Sequence, residues 1–125
     1  MKQIEFIRNP IDYVNNSEFV ALLPHVNGAD DLHKELSEIL KFPNYYGENW
    51  NALYDCLRDF GWIDMKGIVL VHIAIPSLSD FELKTYIGIL FESAKDWKEG
   101  DEHYFKVIFP LVAEKLIRSI INQCP

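Results

Sequence analysis

Four short segments of the chain have the side-chain pattern of β-strands. Residues 19–23 form a continuous apolar run that Pro24 ends, and residues 68–73 form the most apolar run of the chain. A third run spans residues 104–109, whereas residues 4–7 alternate between apolar and polar side chains. Runs of this length that are rich in Val, Ile and Phe favour strands. The pattern therefore predicts three strands and, before them, a strand-like N-terminal segment.

Apolar residues recur at helical spacing in the segments between and after these runs. The predicted helices cover residues 30–40, 49–59, 80–98 and 111–122. Asp30 is a suitable N-cap, and Ser79 with Glu82 has the spacing of a capping box. Pro110 suits the first turn of the last helix. Strands that alternate with helices predict an α/β fold, in which helices pack on a small parallel sheet.

The domain organisation predicted from these patterns is simple. The sequence contains no internal repeat, no low-complexity segment and no linker-like stretch, and a length of 125 residues suits one domain. We therefore predict a single domain over residues 1–125. The last helix, with Val112, Leu116 and Ile120 among its apolar residues, is expected to cover a face or an edge of the sheet. A dimer contact is the alternative.

The stretch of residues 42–57 combines a loop with a short amphipathic helix. Pro43 prevents the upstream helix from continuing, and Gly47 provides a flexible backbone position. Asn49 is placed to cap the helix that follows. The apolar stripe of that helix contains Trp50, Leu53, Tyr54 and Leu57. Its polar stripe contains Asn51, Asp55 and Arg58, so the helix is expected to present an amide and a carboxylate to solvent.

The same stretch resembles a known signature. Its matching residues are Pro43, Tyr45-Tyr46-Gly47-Glu48-Asn49, Ala52-Leu53 and Asp55-Cys56-Leu57. They are similar to the barstar family of intracellular inhibitors of bacterial ribonucleases, and the likeness covers roughly residues 18 to 109. The resemblance implies three parallel strands with several helices, to which residues 1–16 and the last helix are additions.

The resemblance also implies a binding site. Asp55 matches the family's main phosphate-mimicking acid, and Tyr45 and Asn49 match two further contact positions. Each residue also has a simpler interpretation. Tyr45 and its neighbour Tyr46 could pack the loop, Asn49 could act only as a cap, and Asp55 could be an ordinary surface charge.

Several positions depart from the family pattern. Asn51 replaces an aspartate, Tyr54 replaces a tryptophan, and Arg58 replaces a small threonine. Arg58 is spaced to pair with Asp55 at i+3 and to compete with a cation of the partner. In the helix from residue 80, the family's two contacting acids align with Ser93 and Trp97, next to Glu92 and Asp96. The full predicted binding set is Tyr45, Asn49, Asn51, Tyr54, Asp55, Arg58, Asp59, Glu92 and Asp96.

The charge of the chain agrees with a basic partner. The formal net charge is −7, with eight acids against three bases in residues 30–64 and seven against three in residues 80–102. Such a balance argues against direct nucleic-acid binding and would attract a positively charged surface. An ordinary acidic, soluble surface is the simpler interpretation.

No motif of the sequence indicates an enzyme, a metal site or a cofactor. The four histidines lack zinc-ligand spacing, and no phosphate-binding loop or nucleophile elbow occurs. Cys56 and Cys124 form no disulfide framework, and Cys56 is expected to be a reduced core residue. Neither a signal peptide nor a membrane span is recognisable, so we expect a cytoplasmic protein.

The leading hypothesis is an inhibitor or immunity protein, monomeric when free, that forms a 1:1 complex with a basic bacterial ribonuclease toxin. The alternative is a non-inhibitory interaction domain that binds a basic protein surface or self-associates.

Overall fold

The protein is described here by a computed structural model, in which residues 3–123 are defined. Its strands are β1 (Ile4–Ile7), β2 (Glu18–Leu23), β3 (Gly67–His72) and β4 (Tyr104–Pro110). Its helices are α1 (Ala29–Ile39), α2 (Trp50–Leu57), α3 (Asp80–Asp96) and α4 (Glu114–Ile121). Two short 3-10 turns, Pro10–Asp12 and Leu111–Ala113, precede β2 and α4.

The strands form one parallel sheet in the order β1-β4-β3-β2. The three predicted strands are confirmed within one residue at each end, and the strand-like N-terminal segment joins them as a fourth, at an edge of the sheet. The α/β architecture predicted from the alternation of strands and helices is therefore confirmed. Every residue of β3 is buried, as expected for a strand with neighbours on both sides and cover on both faces.

The two faces of the sheet are covered differently. The helices and one face enclose the main core, which includes Leu36, Leu57, Leu70 and Leu90. On the opposite face, Val69, Val71 and Ile108 form a small cluster, with Tyr13 among the side chains packed against it. The N-terminal 3-10 turn contacts β3 and β4 on this side. The segment before β2 thus supplies the cover that the helices do not.

Two buried polar groups are fully hydrogen-bonded inside the fold. In β3, the ring of His72 contacts the Ile108 carbonyl oxygen through Nδ1 at 3.1 Å and the Tyr86 hydroxyl through Nε2 at 2.7 Å. In β2, the carboxylate of Glu18 accepts hydrogen bonds from the hydroxyls of Tyr13 and Tyr104. Partners of this kind are required because an unpaired polar group is costly to bury.

Two of the predicted helix starts are wrong. Gly28, with φ of 91°, precedes α1 as its N-cap, and Asp30 lies inside the first turn instead. Pro110 ends β4 and is followed by the 3-10 turn, so α4 starts only at Glu114. By contrast, Ser79 and Glu82 form the predicted capping box in full.

The last helix packs beside α3, with Ile117 and Ile120 buried. Arg118 reaches from α4 over the ring of Phe6 in β1, 5.1 Å from its centroid, which confirms that the helix covers an edge of the sheet. Two of the residues predicted for its apolar face are exposed instead: Val112 at 96% and Leu116 at 46%. The dimer contact stays an untested alternative.

The cysteine prediction is supported for one residue. Cys56 is a buried free thiol, and burial raises its pKa to about 11. Cys124 lies outside the described residues.

Candidate partner-binding face

The loop before α2 is held by one of its two tyrosines. The hydroxyl of Tyr46 is hydrogen-bonded to Nδ1 of His33 at 2.5 Å, and its ring packs on Phe42. Burial raises the pKa of Tyr46 and lowers that of His33, so both groups are neutral near pH 7. Tyr45 is 76% exposed. Tyr46 therefore packs the loop, whereas Tyr45 is available to a partner.

Asn49 fixes the start of α2. Its Oδ1 accepts a hydrogen bond from the backbone N–H of Ala52 at 2.8 Å, which confirms the predicted N-cap. The residue before it, Glu48, has a backbone φ of 51°, a left-handed conformation that residues other than glycine rarely adopt. The cap and this sharp change of direction set the angle at which the helix leaves the loop.

The two stripes predicted for α2 separate except at Tyr54. Leu53, Cys56 and Leu57 are buried, whereas Asn51, Asp55 and Arg58 lie in solvent. Tyr54, which the spacing assigned to the apolar stripe, is only partly buried, and its hydroxyl faces α3 at the surface. The side chain of Asp55 is 75% exposed. The carboxylate is thus free of the core, as a binding role requires.

On α3, the core and surface positions fall where the helical spacing requires. Ser93 is fully buried, and the indole Nε1–H of Trp97 donates to the Leu57 carbonyl oxygen at 3.0 Å while its ring stacks on Phe60. These two positions align with contacting acids of the resembled family, and both are directed inward here. The acids next to these two positions, Glu92 and Asp96, remain accessible, with side chains 38% and 41% exposed.

The structure brings four of the predicted binding residues into one network across α2 and α3. The Tyr54 hydroxyl donates to Asp96 at 3.0 Å, and this hydrogen bond is the main reason why the pKa of Tyr54 is raised. The Arg58 guanidinium lies 3.9 Å from the centroid of the Tyr54 ring. It donates to Asp55 at 3.0 Å, as predicted, and lies 4.0 Å from Asp96. The result is a joint surface of two carboxylates, a tyrosine and an arginine.

The remaining predicted residues lie outside this network. Asp59 accepts a hydrogen bond from the Gly61 N–H at 3.1 Å, and Glu92 pairs with Lys95 at 3.4 Å along α3. Asn51 is an exposed residue of α2. The Tyr54–Asp96 hydrogen bond was not predicted, because it joins residues 42 positions apart and depends on how the two helices pack.

Residues 3–123 were searched for a metal-binding cluster and for a membrane-spanning helix. There, no group of three or more His, Cys, Asp or Glu side chains is arranged to hold a metal ion. Over the same residues, no helix has the length and apolar character needed to cross a membrane.

Comparison with known proteins identifies the family. The family model described as "Barstar (barnase inhibitor)" matches residues 17–110. The chain belongs to the barstar family. A protein of Bacillus subtilis (strain 168) named "Putative ribonuclease inhibitor YrdF" is 37% identical over 82 residues, which cover 62% of this chain and 80% of that protein.

Membership of the barstar family supports a ribonuclease-inhibitor role and a nuclease as the partner. The matched residues 17–110 include α2 and α3, which form the network around Arg58, and the loop with Tyr45. It excludes β1 and α4, which are therefore additions to the part shared with the family.

Proposed function

We propose that this protein binds and blocks the active site of a basic bacterial ribonuclease toxin through the face formed by the 42–49 loop, α2 and α3. The observation that favours it most is the position of Asp55. Its carboxylate is 75% exposed, beside Asp96 and Tyr54, in a chain of an inhibitor family.

The chemistry of the inhibition is mimicry. A ribonuclease site holds a phosphodiester with cationic side chains, and a carboxylate accepts the same charge-assisted hydrogen bonds from those cations. Asp55 and Asp96 would take the places of phosphate oxygens, while the exposed Tyr45 packs against the rim of the site. The inhibitor itself needs no chemical step, cofactor or metal.

The distribution of charge supports rapid association. The acid-rich segments 30–64 and 80–102 contain α2 and α3, the two helices of the proposed face, together with all of α1 except Ala29. Complementary potentials speed the encounter of partners over a Debye length of about 8 Å at physiological ionic strength. The complex would form in the bacterial cytoplasm with 1:1 stoichiometry and protect the cell from its own toxin or from a toxin delivered by a competitor.

The proposal is tested by titrating a purified nuclease, encoded next to the gene for this protein, with the wild-type inhibitor. We expect RNase activity to fall linearly to zero at one equivalent and the association rate to fall as salt is raised. Binding without loss of activity would instead identify a non-inhibitory interaction domain. Failure to bind any such nuclease would contradict the proposal.

A further inference from the structure

One cation lies in the middle of the proposed acidic face. Arg58 stacks on the Tyr54 ring, donates to the Asp55 carboxylate at 3.0 Å and to the Tyr54 carbonyl oxygen at 3.3 Å, and approaches Asp96 within 4.0 Å. The guanidinium therefore touches both helices of the face. It lies where a cation bound by the two carboxylates would be placed.

The surroundings of Arg58 are those of a guanidinium binding site. Carboxylates suit its forked N–H donors, and an aromatic ring suits its flat, weakly hydrated face. All of the groups are nevertheless open to solvent, with side-chain exposures of 39% for Arg58, 75% for Asp55 and 41% for Asp96. Solvent-exposed pairs of this kind are weak, so a stronger cationic surface could displace the guanidinium.

We propose that Arg58 is an internal substitute for a cation of the partner, bound between Asp55 and Asp96 in the free protein and displaced when the partner binds. This inference rests on the proposed function. It names the chemistry that the face recognises, which is an arginine side chain flanked by further positive charge. A single lysine on an unrelated protein would have to compete with Arg58, whereas a nuclease site with several cations would succeed.

A second consequence concerns the shape of the free site. Arg58 draws the carboxylates of two different helices towards one point, and the Tyr54 hydroxyl restrains Asp96 from the other side. The acids are therefore held near the geometry that a bound cation requires. The hydrogen bond from Tyr54 does not depend on Arg58, so Asp96 stays placed for the partner's cation after the guanidinium leaves.

The chain offers a matched control for removing this arginine. Arg118 in α4 also stacks on an aromatic ring and also pairs with an acid of its own helix, Glu114, at 2.8 Å. Arg58→Ala and Arg118→Ala thus change the net charge equally and remove the same kinds of contact. We expect Arg58→Ala to bind the nuclease about 2- to 5-fold more tightly than Arg118→Ala, the gain expected when a weak internal competitor is removed. Weaker binding by Arg58→Ala, or equal affinities of the two variants, would overturn the inference.

A measurement without any nuclease separates this inference from the proposed function. In NMR spectra of the free protein, the Tyr54 ring should shift the Arg58 Hδ resonances upfield, and a tetra-arginine peptide should reverse this shift as it displaces the side chain. The Hδ resonances of Arg118, stacked on Phe6, should stay unchanged in the same titration. Arg58 resonances that do not move with the peptide, or that move together with those of Arg118, would overturn the inference even if the protein inhibits a nuclease.

Discussion

Acidification should destabilise this protein through a buried histidine. His72 lies fully buried in β3, stacked on Phe109 at 4.1 Å between ring centroids. Its Nδ1–H donates to the Ile108 carbonyl oxygen and its Nε2 accepts from the Tyr86 hydroxyl, so the hydrogen bonds satisfy the neutral ring. Burial lowers its pKa to about 3, an effect that the bond to Ile108 opposes only in part.

The size of the effect follows from the difference between the folded and unfolded pKa values. Histidine in the unfolded chain has a pKa of about 6.5 and binds a proton below it, whereas folded His72 stays neutral. The contribution of His72 to stability is thus present above pH 6.5 and is lost as the pH falls towards 3. From about pH 7 to about pH 5, the linkage relation gives a loss of about 2 kcal/mol in the free energy of unfolding.

Urea denaturation followed by circular dichroism at a series of pH values measures this loss. His72→Gln removes the titrating group, so its free energy of unfolding should be lower at neutral pH but should vary with pH by about 2 kcal/mol less than that of the wild type. His25→Gln is the control, because His25 is exposed and its ring contacts the Ser77 hydroxyl. Part of the pH dependence of the free energy of unfolding should persist in both variants, since burial also lowers the pKa of His33. Equal pH dependence in His72→Gln and the wild type would refute the reasoning.

Two further substitutions test the packing by urea denaturation. The Ser93 hydroxyl is buried and has no hydrogen-bond partner among residues 3–123. Ser93→Ala should therefore raise the free energy of unfolding by about 1 kcal/mol, whereas a loss of stability would show that the hydroxyl is satisfied. Gly67→Ala should lower the free energy of unfolding by about 1–3 kcal/mol, because the added Cβ would clash with the Tyr104 hydroxyl oxygen. Unchanged stability would show that Tyr104 moves aside freely.

Elements with strong local signals could be predicted from the sequence. The capping box of Ser79 and Glu82 and the cap provided by Asn49 involve residues three positions apart, so their geometry is determined within one helical turn. The two stripes of α2 follow in the same way from helical spacing. The parallel sheet followed from the alternation of strand and helix patterns.

The start of α1 and the region around Pro110 were predicted wrongly because the residues there fit more than one local structure. Asp30 could not be distinguished from Gly28 as the start of α1, because either residue type can precede a helix. Pro110 fits a first helical turn, but it is paired with Ile7 in the sheet and ends β4 instead. The apolar residue Val112 then falls in the 3-10 turn and is exposed, since the predicted helical spacing does not apply there.

The residues of the candidate site were predicted on both helices, but the contacts between them could be predicted only within one helix. Asp55, Arg58 and their 3.0 Å pair follow from i, i+3 spacing. The hydrogen bond between Asp96 and Tyr54 required the structure, because it depends on the distance and angle at which α3 packs against α2. The spacing of the sequence fixes which face of α3 contains Asp96 but not which helix that face meets.

We expect Asp55 to be a binding residue that has no part in folding. Asp55 is 75% exposed and interacts with Arg58 at the surface, so Asp55→Ala should change the free energy of unfolding by no more than about 0.5 kcal/mol. Asp12→Ala is the control, because it removes one exposed carboxylate from the N-terminal 3-10 turn, on the opposite side of the sheet.

Calorimetric titration of the nuclease with wild type, Asp55→Ala and Asp12→Ala, with thermal melts of each, is the most direct test. We predict that Asp55→Ala melts like the wild type and loses at least about 2 kcal/mol of binding free energy, while Asp12→Ala keeps nearly all of it. Wild-type affinity in Asp55→Ala would show that the inhibitory face lies elsewhere, and a collapsed melting curve would show that Asp55 is a structural residue.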